Sequence, residues 1–440
     1  MYTNKQIWNV SYPIFLSLLA QNIINVTNTA FLGRVGEVEL GASALGGLFY
    51  ICCFTIAFGF STGSQIMIAR RNGEEEHKQV GPVMIQGVFF LIILAIILFT
   101  LTRFFSSDIM HVLISSDNIM NATVDFLNIR IFGFFFSFAS VMFRALFVGI
   151  TRTKVLTFNA ILMAITNIIL DYLLIFGHGG FPAMGLKGAA IASVAAEAIS
   201  ILFFVIYTRF TVDIQKYGLN QFGSFDFKLL KRILSISIFT MMQYFISMST
   251  FMLFFIAVER IGQHELAIAN IIRSIYILLF IPVNSLATTS NSLVSNTIGA
   301  GQINMVIPII KKIARLSFFI MALCAIIICL IPQYVISIYT NDPALIAGSV
   351  ASVYVIAGAM LICAVGNIVF NGVSGTGNTR SALSIEVIIL IFYTIYIIII
   401  GMYLKMPVHI CFTSEIIYYG GLLTLSALYL KKGNWQSKRI

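Results

Sequence analysis

Long apolar stretches separated by short polar connections run along this whole chain. A helix needs about 20 predominantly apolar residues to cross a bilayer, and twelve stretches are long enough. The pattern therefore predicts an all-α membrane protein with twelve transmembrane helices. The predicted spans are residues 8–32, 40–69, 81–103, 119–151, 155–177, 185–209, 230–259, 265–298, 304–331, 344–374, 381–404 and 409–430.

Composition and charge agree with this prediction. Of the 440 residues, 59% are hydrophobic and only 10% are charged, which is far from the average of soluble domains. The net charge of +10 could indicate a nucleic-acid partner. However, most of the 27 Lys and Arg residues fall in cytoplasmic connections if the N-terminus is cytoplasmic, as the positive-inside rule requires. We therefore expect cytoplasmic termini, a lipid environment and no nucleic-acid partner.

An internal repeat divides the chain into two halves. The longest polar connection, residues 211–228, separates an N-terminal lobe (1–210) from a C-terminal lobe (229–440), each with six predicted helices. The segment RVGEVELGASAL after helix 1 resembles RIGQHELAIANI after helix 7, and the offset that pairs Gly36 with Gly262 also pairs Gly73 with Gly299. An even number of helices makes the halves parallel repeats, with a pseudo-two-fold axis along the membrane normal. Transporters of this design bind substrate between the halves.

Proline and glycine residues lie inside several predicted spans. Pro13, Pro282 and the glycines of GFSTG (59–63) are expected to interrupt helices 1, 8 and 2. Irregular backbone at membrane depth is tolerated only where it is buried in protein or lines a water-filled cavity. The alternative is that these residues only kink packed helices.

Polar side chains at one depth form a candidate ion site in the first half. At about 1.5 Å per helical residue, Asn28, Asp171 and Ser193 all lie roughly 8–12 Å below the outer surface. Asn167 and Glu197 lie one turn deeper on the same faces. Carboxylate, amide and hydroxyl oxygens at one level suit Na⁺, or a proton on the carboxyl group. The alternative is that the amides and hydroxyls only hydrogen-bond between packed helices.

The segments TNTAFLGRVGEVELGA, NIILDYLLIFGHGG and GLKGAAIASV are close to the patterns of a known family. The chain resembles the multidrug and toxic compound extrusion (MATE) transporters over essentially its whole length. The resemblance implies export of bulky, often cationic organic compounds in exchange for H⁺ or Na⁺, with no other cofactor. It also implies a location in the bacterial plasma membrane and function as a monomer.

The resemblance also suggests roles for individual residues. Many members have an Asp in helix 1, an Asn and an Asp one turn apart in helix 5, and a Thr in helix 6. Asn167 and Asp171 match, Ser193 is a conservative match, and Asn28 departs from the pattern. An Asn can coordinate Na⁺ through its carbonyl but carries no titrating proton. Either Asp171 couples alone, or Asn28 imitates a permanently protonated acid. A Na⁺ ion could bind at Asp171, Asn167 and Asn28.

The second half departs from the family further. Ser247 and Cys363 stand where some members carry acids in helices 7 and 10, so we expect no second cation site there. Glu386 and Glu415 are also within apolar spans, and the resemblance gives Glu386 no role. Candidate substrate-binding residues, which should lie between the lobes among apolar side chains, are Gln21, Gln243, Arg273 and Asn367.

Other classes of protein agree less well with the sequence. A lipid-linked oligosaccharide flippase would need a basic cavity for pyrophosphate, and only Arg130, Arg144 and Arg273 lie within spans. A membrane-embedded enzyme is disfavoured because the chain has no H-E-x-x-H motif, and its one G-x-S-x-G match, GFSTG (59–63), lies inside a predicted membrane span and not at a strand-to-helix turn. A primary pump is disfavoured because the chain has no phosphate-binding loop motif.

Overall fold

The computed structural model describes residues 2–114, 116–220 and 225–436, and within these residues it contains helices and no strands. Among the described residues, eleven helices are long and apolar enough to cross a membrane. A twelfth span is formed if two helices that meet at a bend are taken together. The predicted all-α membrane architecture is therefore confirmed.

The helices form two compact units, each described here by itself. One unit comprises residues 12–241, and the other comprises residues 242–440 with residues 1–11. Helices of the first unit are α1 (Asn4–Val35, from Tyr12 on), α2 (Glu37–Gly73), α3 (Val80–Leu113), α4 (Asp117–Arg130), α5 (Gly133–Gly149), α6 (Lys154–Phe176) and α7 (Leu186–Thr211). Helices of the second unit are α8 (Phe227–Glu259, from Met242 on), α9 (Gln263–Gly299), α10 (Val306–Leu330), α11 (Pro332–Ser337), α12 (Pro343–Gly375), α13 (Thr379–Ile397, continued by a π-helical turn Ile398–Tyr403), α14 (Val408–Cys411) and α15 (Thr413–Lys432).

The boundary between the units falls inside α1 and α8. The expected boundary was the linker 211–228, of which residues 221–224 lie outside the described part of the chain. Packing at the starts of the two helices explains the difference. Ile7 of α1 is buried in a cluster with Leu286 and Ile313 of the second unit. In the first unit, the hydroxyl group of Thr240 in α8 donates to the carbonyl oxygen of Gly59 over 2.7 Å.

The internal repeat is visible in the backbone. Helices α2 and α9 have equal lengths of 37 residues and end at the paired glycines Gly73 and Gly299. Gly36 and Gly262 precede them with nearly the same extended conformation, at φ 171° and 159°. A single 3₁₀ turn follows each helix before α3 or α10 begins. The sequence similarity therefore corresponds to a repeated structural unit.

The expected interruptions of helices 1, 2 and 8 are not present. Helix α1 continues through Pro13, α9 continues through Pro282, and α2 continues through GFSTG. Instead, the two glycines of GFSTG allow α2 and α8 to pack closely against each other. A Cβ atom on Gly59 would lie 2.6 Å from the Cα atom of Met241, and one on Gly63 would lie 2.5 Å from the Cα atom of Ser237. Only glycine leaves the space that α8 occupies.

The fourth predicted span, 119–151, is not one straight helix. It consists of α4 and α5, which meet at a bend of 54° after Arg130. The chain turns through Ile131 and Phe132, and α5 begins at Gly133. This break lies beside an ion pair that is described below.

Candidate functional site

Helix α6 carries the two central polar residues of the candidate site. Asn167 and Asp171 lie one helical turn apart, and both side chains are buried, with 1% and 0% of their surface exposed. The helix ends at Gly177, whose left-handed conformation at φ 76° suits a glycine at a helix end. This end places Asp171 roughly 9 Å from the end of the helix.

Helix α1 supplies the third residue of the cluster. The amide group of Asn28 is oriented with its nitrogen towards α6, because the opposite orientation would set its oxygen against acceptors only. The nitrogen then donates to Asp171 Oδ2 over 2.5 Å and to Asn167 Oδ1 over 2.8 Å. Asn28, Asn167 and Asp171 are therefore in direct contact, and we call them the α1–α6 cluster.

Buried apolar residues fix the relative position of the helices that carry this cluster. Leu32 of α1 packs with Ile175 of α6 and Leu186 of α7 in one core cluster of the first unit. Leu32 lies one turn after Asn28, and Ile175 lies one turn after Asp171. The polar cluster therefore lies directly beneath an apolar layer of the same three helices.

Ser193 of α7 lies at the edge of the cluster. The Nδ2 atom of Asn167 is 3.5 Å from the Ser193 hydroxyl oxygen, which is a long hydrogen bond. The Oδ1 atom of Asp171 is buried and has no hydrogen-bond partner in the described part of the chain. No Lys, Arg or His of the described residues forms an ion pair with Asp171. One oxygen of this carboxyl group is thus held by an amide, and the other is free to bind a proton or a small cation.

The structure places Glu197 in a different set of contacts. Its carboxylate accepts two hydrogen bonds from Arg130 of α4, at 2.6 Å and 2.9 Å. The hydroxyl group of Tyr50 donates to the same carboxylate over 3.1 Å, and the Arg130 guanidinium lies 3.6 Å from the centre of the Tyr50 ring. A bidentate pair of this kind neutralises Glu197. The structure therefore does not bring Glu197 into contact with the α1–α6 cluster.

The ion pair lies against the glycine with which α5 begins. A Cβ atom on Gly133 would lie 2.2 Å from both an Arg130 nitrogen and a Glu197 oxygen. Glycine at this position leaves room for the pair. The sequence places Arg130 within a span but does not give its partner, and it does not indicate Tyr50. The opposite charges of Arg130 and Glu197 inside two predicted spans were a signal for this pair.

The candidate substrate residues are distributed over both units. Gln21 is an exposed residue of α1 in the first unit, and the other three belong to the second unit. Arg273 of α9 is exposed and lies 5.2 Å from the centre of the Phe255 ring. Asn367 of α12 accepts a hydrogen bond from Asn371 over 3.1 Å. Gln243 of α8 interacts with Glu386.

These features define a class of protein before any comparison. A duplicated set of membrane-spanning helices is characteristic of membrane transporters, and a buried carboxyl group within a span marks a candidate functional site. The chain belongs to the MatE family, whose model matches residues 13–173 and 237–411.

Individual proteins agree with this family. The probable multidrug resistance protein NorM of Thermotoga maritima is 24% identical over 99% of this chain and 94% of its own length. Its namesake in Agrobacterium fabrum is 28% identical over 72% of this chain and 67% of its own length. Both relatives are named as probable multidrug resistance proteins.

Solved structures have the same fold. A mutant of the Vibrio cholerae MATE transporter VcmN superposes with a TM-score of 0.88 at 14% identity, covering 99% of this chain and 98% of that chain. A MOP superfamily transporter from Pyrococcus furiosus superposes with a TM-score of 0.87 at 16% identity, covering 98% and 94%. The two-lobed MATE fold is therefore established for this chain.

Proposed function

We propose that this protein exports bulky, often cationic organic compounds in exchange for H⁺ or Na⁺, and that Asp171 binds the coupling ion. The relatives named as multidrug resistance proteins support the substrate class. The observation that supports the ion site is the free, buried Oδ1 atom of Asp171. A carboxylate left unpaired in a membrane costs at least about 2.5–3.5 kcal/mol on insertion scales. Binding of an ion or a proton to Asp171 would remove this cost.

In this proposal Asn28 supports Asp171 and does not exchange the ion. Its amide nitrogen donates to Asp171 Oδ2, where a protonated acid would also donate. An Asn in this position cannot release a proton, so Asp171 is the one titrating member of the α1–α6 cluster. For Na⁺ to bind Asn28, the amide would have to turn so that its oxygen faces the ion.

We further propose that the protein works as a monomer in the bacterial plasma membrane, with both termini cytoplasmic and lipid around its helices. Gln21, Gln243, Arg273 and Asn367 remain the candidate residues for substrate. The flippase alternative gains no support, because the guanidinium of Arg130, one of the three arginines within spans, is already neutralised by Glu197.

Dye efflux from proteoliposomes tests the proposal when the Na⁺ gradient and the pH gradient are imposed separately. The wild-type protein should respond to at least one gradient, and Asp171→Asn should lose that response. Asp125→Asn is the matched control, because Asp125 forms an exposed ion pair with Lys187 at 3.0 Å in the same unit. Equal gradient-driven export by Asp171→Asn and the control would refute Asp171 as the coupling site.

A further inference from the structure

A second buried carboxyl group lies in the other unit, on α13. Glu386 is 2% exposed, and its Oε1 atom accepts a hydrogen bond from the Tyr418 hydroxyl group of α15 over 2.9 Å. The hydroxyl group of Ser247 in α8 donates to the same oxygen. Three helices thus meet at this carboxyl group, which we call the α13 site.

The α13 site has oxygen atoms that nothing satisfies. The Oε2 atom of Glu386 is buried and has no hydrogen-bond partner among the residues that the structure describes. The same holds for the Oε1 atom of Gln243, whose side chain interacts with the Glu386 carboxyl group. A buried acceptor without a partner is unfavourable. Two such oxygens beside one carboxyl group point to a missing positive charge or proton.

The surroundings of Glu386 contain no cation that could fill this role. Across the described ranges, no Lys, Arg or His forms an ion pair with it. The groups that interact with its carboxyl are Ser247 and Gln243 from α8 and Tyr418 from α15. Through Tyr418 the site also neighbours Glu415 of α15 and Tyr276 of α9. All of these groups are neutral or acidic.

We propose that Glu386 binds a small monovalent cation, H⁺ or Na⁺, and is a second coupling-ion site of this transporter. The assignment as a coupling site rests on the proposed function, whereas binding of the ion can be measured without transport. The sequence led us to expect no cation site in this half, because Ser247 and Cys363 replace acids. The structure shows that an acid on α13 reaches Ser247 from another helix.

The proposal has a spectroscopic test on the full-length protein in detergent. Infrared difference spectra between low and high pH report each carboxyl group that gains a proton. In Asp171→Asn, with choline chloride as the only salt, the titrating carboxylic acid band should contain a component that disappears in Asp171→Asn/Glu386→Gln, while the components of the other acids persist. The corresponding variant with Glu415→Gln in place of Glu386→Gln should retain this component. Persistence of the whole band in the Glu386→Gln variant would overturn the proposal.

Replacing choline chloride by NaCl at constant pH distinguishes the two ions. If Na⁺ binds at Glu386, the band should weaken in NaCl, and a band unaffected by NaCl identifies H⁺ as the ligand. If Glu386→Gln fails to fold, Glu386→Asp takes its place in the experiment. This variant keeps the carboxyl group on a side chain that is one methylene shorter. It should shift the pH midpoint of the band, and an unchanged midpoint would again overturn the proposal.

The transport assay tests the proposed function, and the spectra test ion binding at Glu386. Either can be refuted without the other. Absence of efflux by the wild-type protein would refute the proposed function and leave ion binding at Glu386 intact. Conversely, gradient-driven efflux that depends on Asp171, together with spectra unchanged by Glu386→Gln, would refute only the α13 site.

Discussion

Replacing Asn28 by Asp would bring two carboxyl groups into contact. The Asn28 nitrogen lies 2.5 Å from Asp171 Oδ2. At that distance two unit negative charges repel by about 7 kcal/mol if the effective dielectric constant is about 20. Keeping an ordinary carboxyl group protonated at neutral pH costs about 4 kcal/mol. The two acids of the variant should therefore share one proton.

Coupling changes if this proton is released and rebound in each cycle. Asn28→Asp would then exchange one H⁺ more per substrate molecule than the wild-type protein. A pH gradient of one unit contributes about 1.4 kcal/mol per H⁺, so the steady-state substrate ratio across the membrane should rise about tenfold. The assay is substrate accumulation in inverted proteoliposomes at a fixed pH gradient, without Na⁺.

Asn25→Asp is the matched control for this experiment. It adds the same charge to the same helix at an exposed position, and it should leave the accumulation ratio unchanged. Accumulation by Asn28→Asp equal to that of the wild-type protein would show that the shared proton does not cycle. Unchanged export that no longer depends on the pH gradient would exclude Asn28 from the coupling site.

Two further predictions concern stability. Glu197→Gln leaves the guanidinium of Arg130, whose side chain is only 13% exposed, without its carboxylate, which should lower the free energy of unfolding by about 3–5 kcal/mol. Asp125→Asn, which breaks an exposed pair, should change it by about 1 kcal/mol or less, and equal thermal shifts in detergent would contradict this contrast. Gly63→Leu places a side chain against the α8 backbone and should reduce the yield of folded protein. Gly47→Leu, at a position with open space, should not, and equal losses would refute the packing argument.

The membrane spans and the α1–α6 cluster could be predicted from sequence because both depend on local geometry. The predicted span 155–177 corresponds to α6, Lys154–Phe176, since an apolar run of fixed length and a terminal glycine define that helix. The rise per residue then fixes the depth of each polar side chain. This reasoning placed Asn28 level with Asp171, and the structure has their side chains in contact.

The features that sequence reasoning missed depend on contacts between distant parts of the chain. Nothing in the apolar run around Gly133 marks the end of a helix, and an ion pair with a residue of α7 lies against Gly133 at the break. The same ion pair separates Glu197 from the cluster, although Glu197 lies one turn from Ser193. Helical periodicity gives the face on which a residue lies. It does not give the residue that another helix places opposite.

The two unpaired acids reveal how the duplicated halves diverged. Asp171 and Glu386 lie on corresponding helices, α6 and α13, each the fifth span of its half. Asp171 is in the penultimate turn of α6, whereas Glu386 is about two turns after the start of α13 at Thr379. The repeat therefore preserved the helices, and the glycines at the ends of α2 and α9, but not the height of the acid.

This difference in height has a consequence for coupling. In the proposed orientation, α6 and α13 both run from the cytoplasmic side outward, so Asp171 lies nearer the outer surface and Glu386 nearer the cytoplasm. If both acids bind coupling ions as proposed, the helix ends nearest to them are on opposite sides of the membrane. We therefore expect Asp171→Asn to impair ion uptake from outside and Glu386→Gln to impair ion release inside. Two acids at equivalent heights could not divide the exchange cycle in this way.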